Sequence, residues 1–91
     1  MFYLGIDVGK FTHSPCLIDE SGHHDIWQIN NDKSGFESLE KKLGSLNLIS
    51  WPSLLVGMEA TGHYFLNIYD FLLHLGLSTE QIALLKTHNW G

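Results

Sequence analysis

Arginine is absent from this chain, and its five lysines face ten carboxylates, a formal charge of −5 at pH 7. Affinity for phosphate backbones comes from Lys and Arg, so this balance excludes a stand-alone nucleic-acid binder. The lysines are scattered, and no platform of aromatic and basic side chains is visible. An acidic site that handles phosphate through metal ions stays open. A single cysteine, Cys16, excludes an internal disulfide and suits a reducing cytoplasm. Within its apolar run it reads as a small core residue rather than a nucleophile. No stretch approaches the roughly 18 apolar residues of a membrane span. The run from Met1 to Ile6 carries no basic region and stops at Asp7, which excludes a signal peptide. Repeats, low-complexity tracts and linker-like stretches are lacking as well. The expectation is a cytoplasmic protein with no membrane partner.

What is present is one small domain. The 91 residues are 44% hydrophobic and 16% charged, a globular composition, and a chain of this size buries roughly 60–68% of its unfolded surface around one thin core. Phe2 to Ile6 is a short apolar run ending in Asp7, which predicts a buried strand. Phe11 to Asp19 predicts a second strand, with Pro15 marking an edge or a bulge. Asp19-Glu20-Ser21-Gly22 is turn chemistry. The alternation Asp25-Ile26-Trp27-Gln28-Ile29 predicts a third strand in an antiparallel meander.

The period then changes. Phe36, Leu39, Leu43 and Leu46 fall at helical spacing, with Ser34 and Glu37 as a capping box and Gly44 as the C′ residue. Leu54-Leu55-Val56-Gly57-Met58 is continuously apolar and ends in Glu59, which predicts a buried parallel strand. Thr61 is placed to cap a second helix with the stripe Phe65, Ile68, Tyr69, Leu72 and Leu75, closed by Gly76. Ile82-Ala83-Leu84-Leu85 predicts a last strand. The expected order is β-β-β-α-β-α-β, an α/β sheet with helices packed on it.

Two carboxylates stand where apolar runs end, Asp7 after the first strand and Glu59 after the fourth. Sites in open α/β sheets form at the carboxyl ends of parallel strands, at the point where strand order reverses. If the two strands are parallel neighbours, both acids reach one edge. Two like charges ~4 Å apart repel by about 4 kcal/mol at an effective dielectric near 20, so one takes a proton or a divalent cation lies between them. Hard carboxylate oxygens suit Mg²⁺, which keeps waters and substrate phosphates in its other positions, and two such ions can activate an attacking oxygen and stabilise a leaving one. The ordinary reading of a strand-end carboxylate is a solvated cap. Spacing alone takes the pair no further.

The words around the acids add a resemblance. Gly5-Ile6-Asp7-Val8-Gly9-Lys10, followed by Thr12 and His13, occurs in outline in many proteins. Met58-Glu59-Ala60-Thr61-Gly62-His63-Tyr64 is far more specific. With Asn31-Asp32-Lys33-Ser34-Gly35-Phe36 leading into the first helix, they resemble the N-terminal domain of the DEDD transposases of bacterial insertion sequences, relatives of the Piv invertase, over essentially the whole chain. The resemblance implies a ribonuclease-H-like, RuvC-type mixed sheet. It implies Asp7 and Glu59 as catalytic acids and as two of four ligands for Mg²⁺ or Mn²⁺. The activity implied is DNA strand cleavage and transfer, moving an insertion sequence. The other two acids, a pair of Asp on a later helix, belong beyond Gly91, as do a serine-bearing domain and contacts to DNA or guide RNA. On this reading the chain is a fragment, expected to bind metal weakly and to be inactive alone, from a homo-oligomeric enzyme.

Lys10, Thr61, Gly62 and His63 are candidate substrate contacts, each with an ordinary alternative. Lys10 is equally a surface lysine and Thr61 a helix cap. Gly62 suggests close backbone approach at a helix N-terminus suited to anions. His63 falls with Asn67, Asp70 and His74 on the face opposite the apolar stripe, where a solvated helix face is the ordinary reading. His23-His24 lack cysteines at zinc spacing, and Trp51-Pro52 and Trp90 read as packing or loop residues. Two other functions stay open. One is an actin-like nucleotide-binding phosphotransferase, whose Asp-x-Gly is usually followed by small hydroxyl residues where this chain has Lys10 and Phe11. The other is a non-catalytic interaction or dimerisation module, favoured by an exposed apolar helix face or an unpaired sheet edge.

Overall fold

A computed structural model describes residues 1–46, 53–60 and 62–85. Six strands and two helices follow in the order β1 (Phe2–Asp7), β2 (Thr12–Ile18), β3 (His24–Ile26), β4 (Ile29–Asn30), α1 (Lys33–Ser45), β5 (Leu54–Glu59), α2 (Leu66–His74) and β6 (Ile82–Leu85). The sheet runs β3-β2-β1-β5-β6, with β4 pairing β2. β1, β2 and β3 form the expected antiparallel meander, and β5 lies parallel to both β1 and β6. This mixed α/β architecture is compatible with a ribonuclease-H-like fold.

The fourth strand of the meander side is the product of a proline. β3 and β4 hold one continuous register against β2, with Cys16 opposite Ile26 and His13 opposite Ile29. Between them Trp27 donates its N–H to the Pro15 carbonyl at 3.1 Å. Pro15 has no N–H to return the bond, so the ladder breaks there and one expected strand becomes two. Pro15 itself is fully buried on an inner strand, which corrects the expectation of an edge.

Alternation, rather than continuous burial, governs β1 and β5. Leu4, Ile6, Leu54, Val56 and Met58 are buried, whereas Tyr3, Gly5 and Asp7 are exposed and Leu55 and Gly57 half-buried. The buried set forms one core with Phe36, Leu39 and Leu43 of α1 and Ile68 and Leu72 of α2, so both helices cover the same face of the sheet. β1 and β5 are parallel as expected, but their burial is one-sided, and among the described residues no helix covers the second face. A stripe of small residues, Cys16, Gly5, Gly57 and Ala83, crosses that face in register. Gly5, Gly57 and Ala83 of this stripe floor an apolar depression of about 330 Å³ walled by Tyr3, Ile18 and Leu55.

The helix ends differ from expectation in detail. Asp32, not Ser34, caps α1: its carboxylate accepts from the Gly35 N–H at 2.9 Å and from the Ser34 hydroxyl at 2.8 Å. Glu37 turns instead toward Lys33. Gly44 lies inside α1, which continues to Ser45 with Leu46 at the C-cap. The apolar stripe of α2 is buried as predicted at Ile68 and Leu72, and Gly76 takes the left-handed φ of 108° that a C′ glycine permits. Thr61, Trp51, Pro52 and Trp90 lie outside the described residues.

Candidate functional site

Asp7 and Glu59 are the last residues of β1 and β5. The two strands run parallel with Ile6 beside Met58, so the next step in register sets Asp7 beside Glu59. Neighbouring strands stand about 4.8 Å apart, which brings both acids to one end of the sheet. Both are exposed and fall on the helix-free side, because the preceding Ile6 and Met58 point into the core. The local sequence explains the placement. Each acid follows a strand whose alternate residues are apolar, and ending on the open face spares it the cost of burying a charge. This is also the point where strand order reverses, since the chain leaves β1 toward β2 and leaves β5 toward β6. On its other side Asp7 pairs with Ser14 of β2, and Glu59 pairs with Leu85 of β6.

The turn after Asp7 is held from below. Gly9 donates its N–H to Nδ1 of His13 at 3.2 Å. Asn31 donates from Nδ2 to the Lys10 carbonyl at 3.1 Å and from its backbone N–H to the Phe11 carbonyl at 2.8 Å. His13 is fully buried and stacks on Phe36, with ring centroids 6.3 Å apart and planes 11° from parallel. Burial pulls its pKa below the ordinary imidazole value, an effect the Asn31 side chain partly opposes. A side chain at Gly9 would run into the Thr12 carbonyl oxygen, so this position requires glycine. Lys10 is exposed, its ammonium 5.2 Å from the centre of the Phe11 ring, on the same turn as the acid it follows.

After β5, the Ala60 N–H bonds the Leu85 carbonyl at 2.9 Å, and the chain turns through Gly62, whose φ is 62°. His63 is exposed in this turn. The second helix begins only at Leu66, with Phe65 at its N-cap and no side-chain cap bond. Gly62 and His63 thus lie before the helix rather than at its first turn. Asn67, Asp70 and His74 are on the exposed face as predicted and line an open groove of about 370 Å³ with Asp32 and Lys33 of α1.

Two carboxylates side by side offer hard oxygen donors of the kind Mg²⁺ and Mn²⁺ accept. Among the described residues no group of three or more His, Cys, Asp or Glu is placed to hold a metal. His13 and Asn31 are the residues that sequence reasoning passed over. The available signal was the alternation of His13, Pro15 and Leu17 on one side of β2, which puts the histidine on the core face.

A family model described as Transposase, of the IS110-type DEDD group, matches residues 4–90. No curated protein sequence matches the chain. Among solved structures, the Ppx/GppA family member from Aquifex aeolicus is similar over 94% of this chain and 35% of its own, at 13% identity and a TM-score of 0.40. The chain thus spans about a third of that protein's length, and a likeness at that score carries no argument.

Proposed function

The chain belongs to the DEDD transposases of insertion sequences, and from that premise we propose that it supplies two acids of a ribonuclease-H-like site for metal-dependent DNA strand cleavage and transfer. The observation that carries this reading is the register of β1 and β5, which sets Asp7 beside Glu59 at the open end of two parallel strands. Asp7 and Glu59 would hold Mg²⁺ or Mn²⁺ through their carboxylate oxygens, and such an ion lowers the pKa of an attacking water or hydroxyl and neutralises charge on the phosphate. The chain's own residues have simpler work. The two strand ends fix the carboxylates on a rigid sheet. Lys10, on the turn beyond Asp7, is placed to meet a backbone phosphate, and the left-handed turn at Gly62 brings His63 to the same end of β5. Thr61 is assigned the same substrate-facing role from the family motif alone. Further acids, DNA and guide-RNA contacts, and self-association belong to the rest of the enzyme, acting in the cytoplasm. By itself this chain is expected to bind metal weakly and to cleave no DNA.

The test is thermal unfolding of the native chain and of Asp7→Asn against Mn²⁺ and Mg²⁺. Ligand at about ten times its Kd stabilises the folded form by roughly 1.4 kcal/mol, so the native Tm should rise by several degrees and that of Asp7→Asn should not. Without metal the order reverses: Asp7→Asn removes a like-charge neighbour of Glu59 and should melt slightly higher than the native chain. No Mn²⁺ response in the native chain would sink the reading. A rise with ATP alone would point to the nucleotide-binding alternative.

A further inference from the structure

Among the described residues His13 is the buried polar side chain of an otherwise apolar core, Asn31 beside it is half-buried, and the carboxylate pair makes no direct use of either. Their bonds converge on one segment, the four residues between Asp7 and Thr12. Gly9 donates to His13 Nδ1, so that nitrogen carries no proton, and in the neutral ring the proton sits on Nε2. Nε2 of His13 and Oδ1 of Asn31 are both buried and both without a partner. One is a donor and the other an acceptor, so each side chain holds what the other lacks. Asn31 meanwhile grips the Lys10 and Phe11 carbonyls through its own amide and its backbone. Behind the imidazole the packing continues through Phe36 of α1 to Phe71 of α2, whose ring centroids are 5.3 Å apart. The turn that follows the first acid is thus tied to the centre of the domain.

We propose that His13 and Asn31 are positioning residues for the site: as a polar brace they fix the 8–11 turn, and with it the direction of Asp7 and the place of Lys10. The proposal rests on the metal-site reading for its consequence, though not for its structural content. A buried polar group without a partner works against the fold, a penalty an apolar residue at position 13 would avoid. Packing alone gives no reason for a histidine there, whereas an acceptor for Gly9 does. Groups that orient ligands from behind commonly alter metal affinity by about tenfold or more when removed.

Two variants separate bracing from packing. His13→Leu keeps apolar bulk against Phe36 and has no acceptor. His13→Asn loses the ring but can offer an oxygen near the place of Nδ1. Two readouts are taken on the whole chain by NMR: amide hydrogen exchange at Gly9 and Lys10, referenced to Leu4 and Val56, and the Mn²⁺ concentration that half-broadens Asp7 and Glu59. For His13→Leu, exchange at Gly9 should rise by about fivefold to tenfold, as loss of one hydrogen bond implies, and Mn²⁺ affinity should fall by about tenfold, with the core amides little changed. His13→Asn should recover both toward the native values even though its Tm is lower. If His13→Leu leaves turn exchange and Mn²⁺ affinity unchanged, or if both variants lose affinity in step with Tm, His13 only packs and the proposal is wrong. If the native chain shows no Mn²⁺ broadening at Asp7 and Glu59, it is the metal-site reading that fails. The exchange comparison then decides alone, supporting the brace if Gly9 is selectively exposed and overturning it if not.

Discussion

At the scale of single residues, His13 links the site to pH. Its folded pKa lies below its ordinary value of 6.5 because burial disfavours the charged ring. The unfolded chain therefore takes up the proton more readily than the folded one. Stability is full above about pH 6.5 and declines as pH falls below it, until the folded imidazole also protonates. The expected outcome is a lower Tm at pH 5 than at pH 7.5, with His13→Leu flattening that difference. Asp19 and Asp32 give a separate step. Hydrogen bonds from Ser21 and His23, and from Gly35 and Ser34, hold their carboxylates below the usual 3.8. Their contributions persist above that value and are lost only as pH falls through the lower folded values. Asp7 and Glu59 were legible in the sequence because a charge ending an apolar run is visible in one dimension. His13 was not, because its neighbours Thr12 and Ser14 are polar and hide the alternation that Leu17 and Pro15 continue.

At the scale of elements, α1 shows how a correct helix can carry a mistaken end. Asp32 and Ser34 are both good cap residues two positions apart, and the choice between them depends on where the chain leaves β4, a tertiary fact. Asp32→Ala should lower Tm by a few degrees and Ser34→Ala by less, since only Asp32 accepts a backbone N–H at the helix start. Gly35 is a sharper case. Alanine inside a helix ordinarily gains up to about 1 kcal/mol over glycine, yet here a Cβ would press on the backbone of Asn30. Gly35→Ala is therefore expected to destabilise by about 1–3 kcal/mol in a denaturant titration, the range for overpacking. The break between β3 and β4 has the same character. Pro15 is plain in the sequence, but its effect falls on the strand opposite, at Trp27.

At the scale of the whole molecule, the parallel neighbours and the helical stripe were readable, while the one-sidedness of the layer was not. A run such as Leu54 to Met58 looks equally apolar whether one face or two are covered, and only the placement of both helices decides it. Adjacent residues of β6 test that placement. Ala83 is exposed on the open face and Ile82 is buried beneath the helices. Ala83→Lys should leave stability within about 0.5 kcal/mol of the native chain. Ile82→Lys should cost about 4 kcal/mol or more, enough to unfold much of the population, because it drives an unpaired charge into the core. Equal effects at the two positions would contradict the sidedness.

The pairing of β1 with β5 also dates the site within the life of the chain. The meander closes through near neighbours, Cys16 against Gly5 and Ile26 against Cys16, and can form while later residues are still being synthesised. Leu4 meets Val56 across more than half the chain, the least local strand pairing among the described residues. Such closures come with the largest loop entropy and set the pace of folding in β-containing domains. Until β5 has left the ribosome, β1 offers an open edge and Asp7 stands without its parallel neighbour. The carboxylate pair is thus a late product of folding, and its appearance marks a chain whose two halves have already found each other.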